Sequence, residues 1–597
     1  MSFNKAASSM FNEMSQMIEL LGGDRFRVNA HAKAARVLKD TTADIEALAS
    51  DGDTKALIAL EGIGKGTASK LIELAQHGNM SEYDELRDQI PKGLMEVLEI
   101  PGLGPKTVKL MWDEKNVESI EDLLKIIENG SILELPRMGQ KTVDNIKESI
   151  EFMAQSGGRL HIGIAQGVAD RFVEMMSAVN GTKQCAFAGS LRRGKETIGD
   201  IDILIATTDP EAAREAFTHA KGVIKVLANG EKKSSIRVAI EDESSRWGAE
   251  DNTAVQVDLR IVDESAWGAA LMYFTGSKEH NVRLRERAIK QGMTLNEYGL
   301  FKDDGTNKTP PQERGEKPLA CKTEEAIYIK LGVPYYPPTI REDRGELDLE
   351  ETPDLITIED IKAELHSHTT ASDGKMSIEE SAGIAKSRGF HTLAITDHSQ
   401  SSAVAGGLEP ERLRKHIEAI READEQTKGI SILAGSEVDI LVDGTLDYDD
   451  DLLAELDVVV ASPHAGLRAK PKQATKRLLK AIEHPLVHII GHPTGRLIER
   501  RPGLEPALNE IFAAAIEHDV ALEINSHWMR LDLRDTHVRA AVEAGCKIAI
   551  DCDVHHADDY GNIRFGVLTG QRGWLTKDRC INTWSKQKLH KWLRSKR

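Results

Sequence analysis

The stretch Lys362-Ala-Glu-Leu-His366-Ser-His368 decides how the C-terminal part of the chain folds. It reads as a short strand, yet it ends in two imidazoles, for which a half-buried core strand has no use. Six more β-branched runs end in, or one residue past, a histidine or a carboxylate: TLAITDH (392–398), ISILAGSEV (430–438), DVVVASPH (457–464), LVHIIGHP (486–493), VALEINSH (520–527) and KIAIDCDVHH (547–556). Polar or helical stretches separate them. Ser377, with Glu380 three residues on, forms a capping box for a helix that stops at Gly389. Such strand–helix alternation predicts a mostly parallel sheet or barrel, whose C-terminal strand ends share one face where chemistry sits. Imidazole plus carboxylate is the ligand mix of catalytic divalent metals.

Of the 20 histidines, 15 lie after residue 345, so the enrichment is local. His366 and His368 share one strand face, as do Asp553 and His555. Asp373 follows on a loop, and His398, Glu437, His464 and His492 end or approach the ends of successive runs. His391, His416, His484, His488, His518 and His537 fall outside this pattern and read as structural or solvated; His527 and His556 are weaker candidates near the face. Asp397 suits an outer partner that fixes an imidazole tautomer. Arg496, Arg500 and Arg501 form a basic loop, read either as a DNA phosphate contact at Arg496 or as a solvated surface.

A chain of 597 residues is too long for one core. No apolar run approaches the length of a membrane span, and the N-terminus lacks the basic and apolar regions of a secretory signal. Five cysteines without CxxC spacing fit free thiols in a reducing cytosol and give no zinc-finger signature. A net charge of −19 alone argues against nucleic acid, but a carboxylate-rich metal site is itself negative before its ions bind.

Upstream, Gly189-Ser190-Leu-Arg-Arg193-Gly-Lys-Glu-Thr-Ile-Gly199-Asp200-Ile-Asp202 carries a second chemistry. On a strand Asp200 and Asp202 face the same way, and Asp258 of VQVDLRIV completes a triad from a neighbouring strand. Three carboxylates on one sheet face suit two Mg²⁺ ions in phosphoryl transfer, with the Gly189–Ser190 turn cradling a triphosphate and Arg193 neutralising it. The strands CAFAGS, DIDILIAT, SSIRVAI and AVQVDLRIV are expected to form one sheet.

The first 150 residues read as helices broken by a repeated phrase: Leu60-Glu-Gly62-Ile-Gly64-Lys-Gly66-Thr-Ala, Ile100-Pro-Gly102-Leu-Gly104-Pro-Lys-Thr-Val, and Leu135-Pro-Arg137-Met-Gly139-Gln-Lys-Thr-Val. A helix, a tight glycine turn and a second helix with exposed N-terminal amides can bind a phosphate. This is the pattern of DNA-binding helix-hairpin-helix modules; Arg137 replaces the first glycine of the third copy.

Residues 1–338 resemble the family X DNA polymerases. The resemblance implies that Tyr273, Phe274 and Gly276, with Asn281 and Arg285, face the nucleotide and template, and that Gly189, Ser190, Arg193 and Gly199 belong to the nucleotide site. Lys70 falls where lyase members place a Schiff-base lysine; a DNA contact is the other reading. Ile198 stands in place of a triphosphate-binding Ser, and His31-Ala32 in place of a Tyr-Arg pair of the lyase pocket. Residues 355–575 resemble the polymerase and histidinol phosphatase (PHP) domain, a distorted seven-stranded (β/α) barrel with a trinuclear metal centre. That resemblance assigns nine ligands: His366, His368, Asp373, His398, Glu437, His464, His492, Asp553 and His555.

The expected architecture is multidomain: a lyase-like helical domain (1–85), a helical DNA-binding domain (86–157), an α/β nucleotidyltransferase palm (158–263), a nascent-base-pair subdomain (264–338), an acidic linker (339–354) and the PHP barrel (355–597). The expected function is a cytoplasmic, nucleoid-associated DNA-repair polymerase filling short gaps, with 3′–5′ exonuclease activity and scope for abasic-site cleavage and 3′-phosphate removal. Asp200, Asp202 and Asp258 would hold Mg²⁺, and the barrel up to three Mn²⁺ or Zn²⁺ ions. Expected partners are gapped or primed DNA and dNTPs, with Gly62, Gly64, Gly66, Gly102 and Gly104 on the DNA backbone and no membrane or obligate protein partner. The alternatives are a DNA-end scaffold with a disabled polymerase site and a small-molecule phosphatase.

Overall fold

The computed structural model describes the chain outside residues 1–2, 42, 53, 61, 99, 101–102, 137, 141, 145, 148–149, 151–158, 241–253, 304–306, 308 and 597, and the backbone alone of residue 40. The chain divides into two compact units, one up to residue 158 and one from residue 159 onward. No helix among the described residues is long and apolar enough to cross a membrane.

The N-terminal unit is helical around one core that includes Phe11, Met14, Leu38, Leu57, Leu71, Val97 and Val108. The three repeated phrases close the same turn: Ile63 N donates to Leu60 O, Leu103 N to Ile100 O and Met138 N to Leu135 O, at 3.0–3.1 Å. After the first two turns, Gly64 and Gly104 precede helices Lys65–His77 and Pro105–Lys115 in extended conformation.

In the second unit the palm sheet has strands β1 (Thr182–Phe187), β2 (Asp200–Thr207), β3 (Val223–Asn229), β4 (Lys233–Ala239) and β5 (Ala254–Val262). Their order is β1-β2-β5-β4-β3, with β2 and β5 parallel and the other pairs antiparallel. The alternation of β2 buries Ile201, Ile203 and Ile205 with Phe172 of helix Ile162–Ser177, which turns the aspartates to the opposite face. Edge strand β3 is missing from the sequence-based sheet because Lys225, Ile224 and Val226 are half-buried or exposed, leaving no burial pattern to read.

Seven parallel strands follow in chain order: β6 (Ala363–Glu364), β7 (Thr392–Ile395), β8 (Ser431–Asp439), β9 (Val458–Ser462), β10 (Ile489–Ile490), β11 (Ala521–Asn525) and β12 (Lys547–Asp551). A parallel bridge between Ser367 and Val554 joins the last strand region to the first. The helix Ile378–Ser387 carries the Ser377/Glu380 capping box, and Gly389 follows it at φ 81°. Small and β-branched residues fill the barrel (Ala363, Ala394, Val458, Val460, Ile489, Ala521, Ala549), packed with Trp584, Leu589, Trp592 and Leu593 of the C-terminal segment. Asn582 Nδ2 bonds Ala363 O, and Trp592 Nε1 bonds Asp519, both groups that precede or begin a strand. One mouth is thus plugged by apolar surface, and the other is left to polar chemistry.

The acidic segment 339–354 is not a free linker. Arg341 and Glu346 are both 0% exposed; Arg341 pairs with Glu324 at 2.6 Å and Glu346 with His280 at 2.7 Å. Composition suggested a linker, but Arg341 and Glu346 find buried partners on other elements, while Asp348, Glu350, Glu351 and Asp354 stay exposed.

Candidate active sites

In the palm the parallel register of β2 and β5 sets Asp202 directly opposite Asp258, with Asp200 two residues earlier on the same face. Asp258 accepts from Gln256 Nε2 at 2.9 Å and pairs with Lys233 at 2.6 Å. Burial, then the charges of Asp200 and Asp258, pushes the Asp202 carboxyl up to about 7. Such a cluster is the electrostatic signature of a cation site, since a divalent ion removes the repulsion.

Gly189 and Ser190 open a single helical turn, Gly189–Arg192, one strand from the triad. Gly189 has φ 63°, and any Cβ there would collide with Asp202 Oδ2. Arg192 is fixed by a bidentate pair with Glu324 (2.9 and 2.7 Å) and by Thr275 Oγ1. Arg193 donates to Thr275 O at 2.5 Å and to Glu342 at 3.0 Å. Gly199 is exposed beside Arg159, whose Nη1 a Cβ would meet at 3.1 Å. Tyr273 and Phe274 contact edge-to-face at 5.2 Å, and Arg260 lies 4.7 Å over the Phe274 ring. Gly276, at φ 71°, lets Arg193 approach; a Cβ would lie 3.1 Å from its Nη1. Asn281 Nδ2 donates to Tyr273 O at 2.7 Å, while its Oδ1 is buried without a partner. Arg285, half-buried, is one turn further along helix Lys278–Lys290.

The barrel brings all nine expected ligands together. Glu437, 1% exposed, sits at the centre: its carboxylate lies 2.8 Å from His492 Nε2, 2.9 Å from His398 Nδ1, 3.3 Å from His366 Nε2 and His464 Nε2, and 3.6 Å from His368 Nε2. Asp553 Oδ1 is 3.1 Å from His368 Nε2, and Asp373 Oδ1 is 3.3 Å from His555 and 3.6 Å from His398. Three overlapping groups emerge: His368, Asp373, His398 and His555; His366, His368 and Asp553; His398, Glu437 and His464. His366 Nε2, His368 Nε2, His398 Nδ1, Glu437 Oε2 and Asp553 Oδ1 are buried and make no hydrogen bond. Unbonded buried polar atoms converging on common points are costly unless cations take them up, so these residues fit divalent metals.

Several candidate ligands lie just beyond the strands instead of on them. Asp553 (φ 53°) and His492 (φ 26°) take left-handed backbone after β12 and β10, turning their side chains inward. Sequence reading missed the groups behind them. Glu523 accepts from His366 Nδ1 and from His492 N, both at 2.6 Å; Asp439 bonds His464 Nδ1 at 2.7 Å; Asn525 Nδ2 bonds Asp553 Oδ2 at 3.0 Å. These partners fix tautomers and ring orientation. The signal was partial: Asp439 is two residues from Glu437 on one strand, and Glu523 and Asn525 interrupt the apolar start of VALEINSH without showing what they face. Strand β11 therefore supplies supports, while His527 stacks on Trp528 at 5.5 Å. Arg530, whose Nε is 3.9 Å from Asp553 Oδ2, is a cation at the centre with no local sequence signal.

One expectation fails here, and another is met on a different histidine. Arg496 is 8% exposed and donates to Glu196 at 2.7 Å and to Leu531 O, tying barrel to palm, so it does not face DNA. Asp397 holds no ligand histidine; it accepts from Thr369, Ser372 and His416, the last at 2.7 Å, and so shapes the 369–372 loop.

In the N-terminal unit, Gly62 has φ 97°, and a Cβ there would press on Lys33 and Val37 at 2.8 Å. Gly64 and Gly104 face open space, and Gly66 meets only Lys70 Nζ, at 3.9 Å. Gly102 lies outside the described residues. Lys70 pairs with Glu82 at 2.7 Å, a carboxylate shared with Arg27 at 2.6 Å and 3.7 Å from His31.

Known families match along the chain in the same order. "Helix-hairpin-helix domain" covers 2–80, "SAM-like Helix-hairpin-helix tandem" 94–151, "DNA polymerase beta palm" 165–250, "DNA polymerase beta thumb" 270–342 and "PHP domain" 364–527. The PHP match stops before Asp553 and His555, which the barrel closure returns to the site. The chain is 35% identical over 579 residues to DNA polymerase/3′-5′ exonuclease PolX of Bacillus subtilis (strain 168), covering 97% of each. It is 25% identical over 332 residues to DNA polymerase lambda of Rattus norvegicus, covering 54% of this chain and 53% of that protein. It is 29% identical over 230 residues to a probable phosphatase of Thermoanaerobacter sp. (strain X514), covering 36% of this chain and 89% of that protein. With its helix-hairpin-helix, palm, thumb and PHP parts in order and its likeness to PolX running nearly end to end, the chain belongs to the family X DNA polymerases that carry a C-terminal PHP domain.

Proposed function

We propose that this chain fills short gaps in damaged DNA, extending a primer 3′-OH from dNTPs at the palm and removing nucleotides from 3′ ends at the barrel. The observation that carries the reading is the presence of two separate anionic centres: Asp202 opposite Asp258 on the palm sheet, and Glu437 ringed by imidazoles on the barrel. Mg²⁺ at the palm and up to three Mn²⁺ or Zn²⁺ ions at the barrel would supply Lewis acidity and offset the charge developing on the transferred phosphoryl group. The chain's own residues do the rest. Asp200, Asp202 and Asp258 hold the charge balance beside the primer end; Arg193, with Gly189 and Ser190, receives the triphosphate; Tyr273, Phe274, Asn281 and Arg285 line the new base pair. In the barrel, Glu523 and Asp439 hold His366 and His464 in one tautomer and orientation, and Arg530 offers a cation to the phosphodiester. The hairpin turns at Gly62, Gly64, Gly66 and Gly104 grip the DNA backbone, in a chain acting in the cytoplasm at the nucleoid.

The domain limits given above serve as the functional division, with 339–354 assigned to the packed polymerase–barrel junction. Lys70, paired with Glu82, is read as a DNA contact, since an ammonium engaged by a carboxylate is a poor Schiff-base nucleophile. Abasic-site cleavage and 3′-phosphate removal are further reactions open to the barrel.

Primer extension and 3′-end resection on gapped DNA with Mn²⁺, in Asp200→Ala and His366→Ala variants, test the division of labour. Extension alone should vanish in the first and resection alone in the second. Intact resection in His366→Ala would refute the barrel assignment.

A further inference from the structure

The side chain read as the triphosphate cation is not held by the palm alone. Arg193 Nε donates to Glu342 Oε1 at 3.0 Å and Nη1 to Thr275 O at 2.5 Å, which leaves Nη2 without a hydrogen bond among the described residues. Glu342 Oε1 also accepts from Arg572 Nη1 at 2.8 Å, and the same nitrogen donates to Arg193 O at 2.7 Å. Arg572 ends the barrel helix Ile563–Arg572; its side chain is 3% exposed, and its Nε and Nη2 bond Asp535 Oδ2 at 3.0 and 2.8 Å. Gly194, at φ 67°, closes the contact: a Cβ there would sit 3.2 Å from Leu568 Cβ and 3.6 Å from Arg572 Cδ.

A guanidinium bonded at two nitrogens has a fixed plane, so its third nitrogen points in one direction. Glu342 supplies one of those two bonds, and Arg572 holds Glu342 in place while sharing its charge. Burial alone would raise the Glu342 carboxyl, but Arg572 and Arg193 outweigh it and hold it well below the usual range. Without Arg572, the undivided charge of Glu342 would fall on Arg193 and compete with an incoming phosphate.

We propose that Arg572 and Glu342 are positioning residues for polymerisation: the barrel's Arg572, acting through Glu342, sets Arg193 with its Nη2 free for the triphosphate of the nucleotide. The nucleotide site of the polymerase thus includes a part of the barrel. This rests on the reading of Arg193 as a phosphate contact.

Single-nucleotide insertion by the full chain, with resection on the same preparations as a folding control, tests it. Arg193→Gln should raise KM for the dNTP, and Arg572→Met should raise it about tenfold with kcat changed less than about twofold, the mark of a lost binding contact. The double variant should be no worse than Arg193→Gln, because Arg572 acts only through that side chain. Arg572→Lys should recover part of the loss. Should Arg572→Met lose resection too, Glu342→Asp serves instead: it keeps the charge, withdraws the clamp and should raise KM about threefold. An unchanged KM in Arg572→Met or its replacement, or the same increment added again in the Arg193→Gln background, would overturn the positioning role. An unchanged KM in Arg193→Gln would instead overturn the phosphate-contact reading, and the positioning role with it.

Discussion

Gly189 shows how little at one residue decides the geometry of the proposed polymerase site. Its positive φ and the nearness of Asp202 Oδ2 both require a missing Cβ. Gly189→Ala should displace the Asp202 carboxylate and lower the kcat of extension by about 10–100-fold, as a misplacement near 1 Å does, while resection persists. In the barrel, Glu523 carries two bonds to candidate ligand residues, His366 Nδ1 and His492 N. Glu523→Gln should weaken metal retention about tenfold or more, measured as metal content after dialysis against a chelator; unchanged content would deny it a supporting role. The nine candidate ligands were legible because histidines and carboxylates recur at strand ends, six of which carry them, and because the resemblance to PHP domains assigned each position. Glu523 was not, because a carboxylate inside a strand run does not announce whether it faces a metal or an imidazole. Arg496 was misread for a different reason: its partner, Glu196, is 300 positions away in sequence.

Among the elements, the segment 341–349 and the helix Glu324–Lys330 bind thumb, palm and barrel through buried charge. Glu324 takes Arg192 and Arg341 together. Burial would raise its carboxyl, but the two guanidinium partners bring it down to about 2. Because the folded pKa lies below the ordinary 4.5, its contribution to stability is complete above pH 4.5 and is lost as pH falls through about 2. The Tm gap between wild type and Glu324→Gln should therefore be widest above pH 4.5 and narrow steadily on acidification; a gap independent of pH would contradict this. The C-terminal helix Lys586–Arg594 plugs the barrel with Trp592, which is 7% exposed. Trp592→Ala should cost about 3–5 kcal/mol in chemical denaturation, in line with large-to-small core changes. The parallel strands and the capped helix after Ser377 were readable from local pattern. The packed segment was not, since acidic composition looks the same whether its partners are water or buried arginines.

For the whole molecule, the net charge of −19 looked unfavourable for DNA, yet part of it is committed to the palm triad, to the buried barrel centre and to cross-domain pairs. Palm, thumb and barrel belong to one compact unit, so the two proposed sites share a scaffold without sharing residues. That separation is the central claim. Its most direct test is one reaction: a gapped duplex whose primer ends in a mismatched 3′ nucleotide, given dNTPs, Mg²⁺ and Mn²⁺, with products resolved at single-nucleotide length. Wild type should trim the mismatch and fill the gap, Asp200→Ala should only trim, and His366→Ala should leave the mismatched end untrimmed. An equal mixture of the two variants should restore the wild-type product. Failure of the mixture when each variant keeps its own half-reaction, or loss of both steps in either variant alone, would contradict two independent sites.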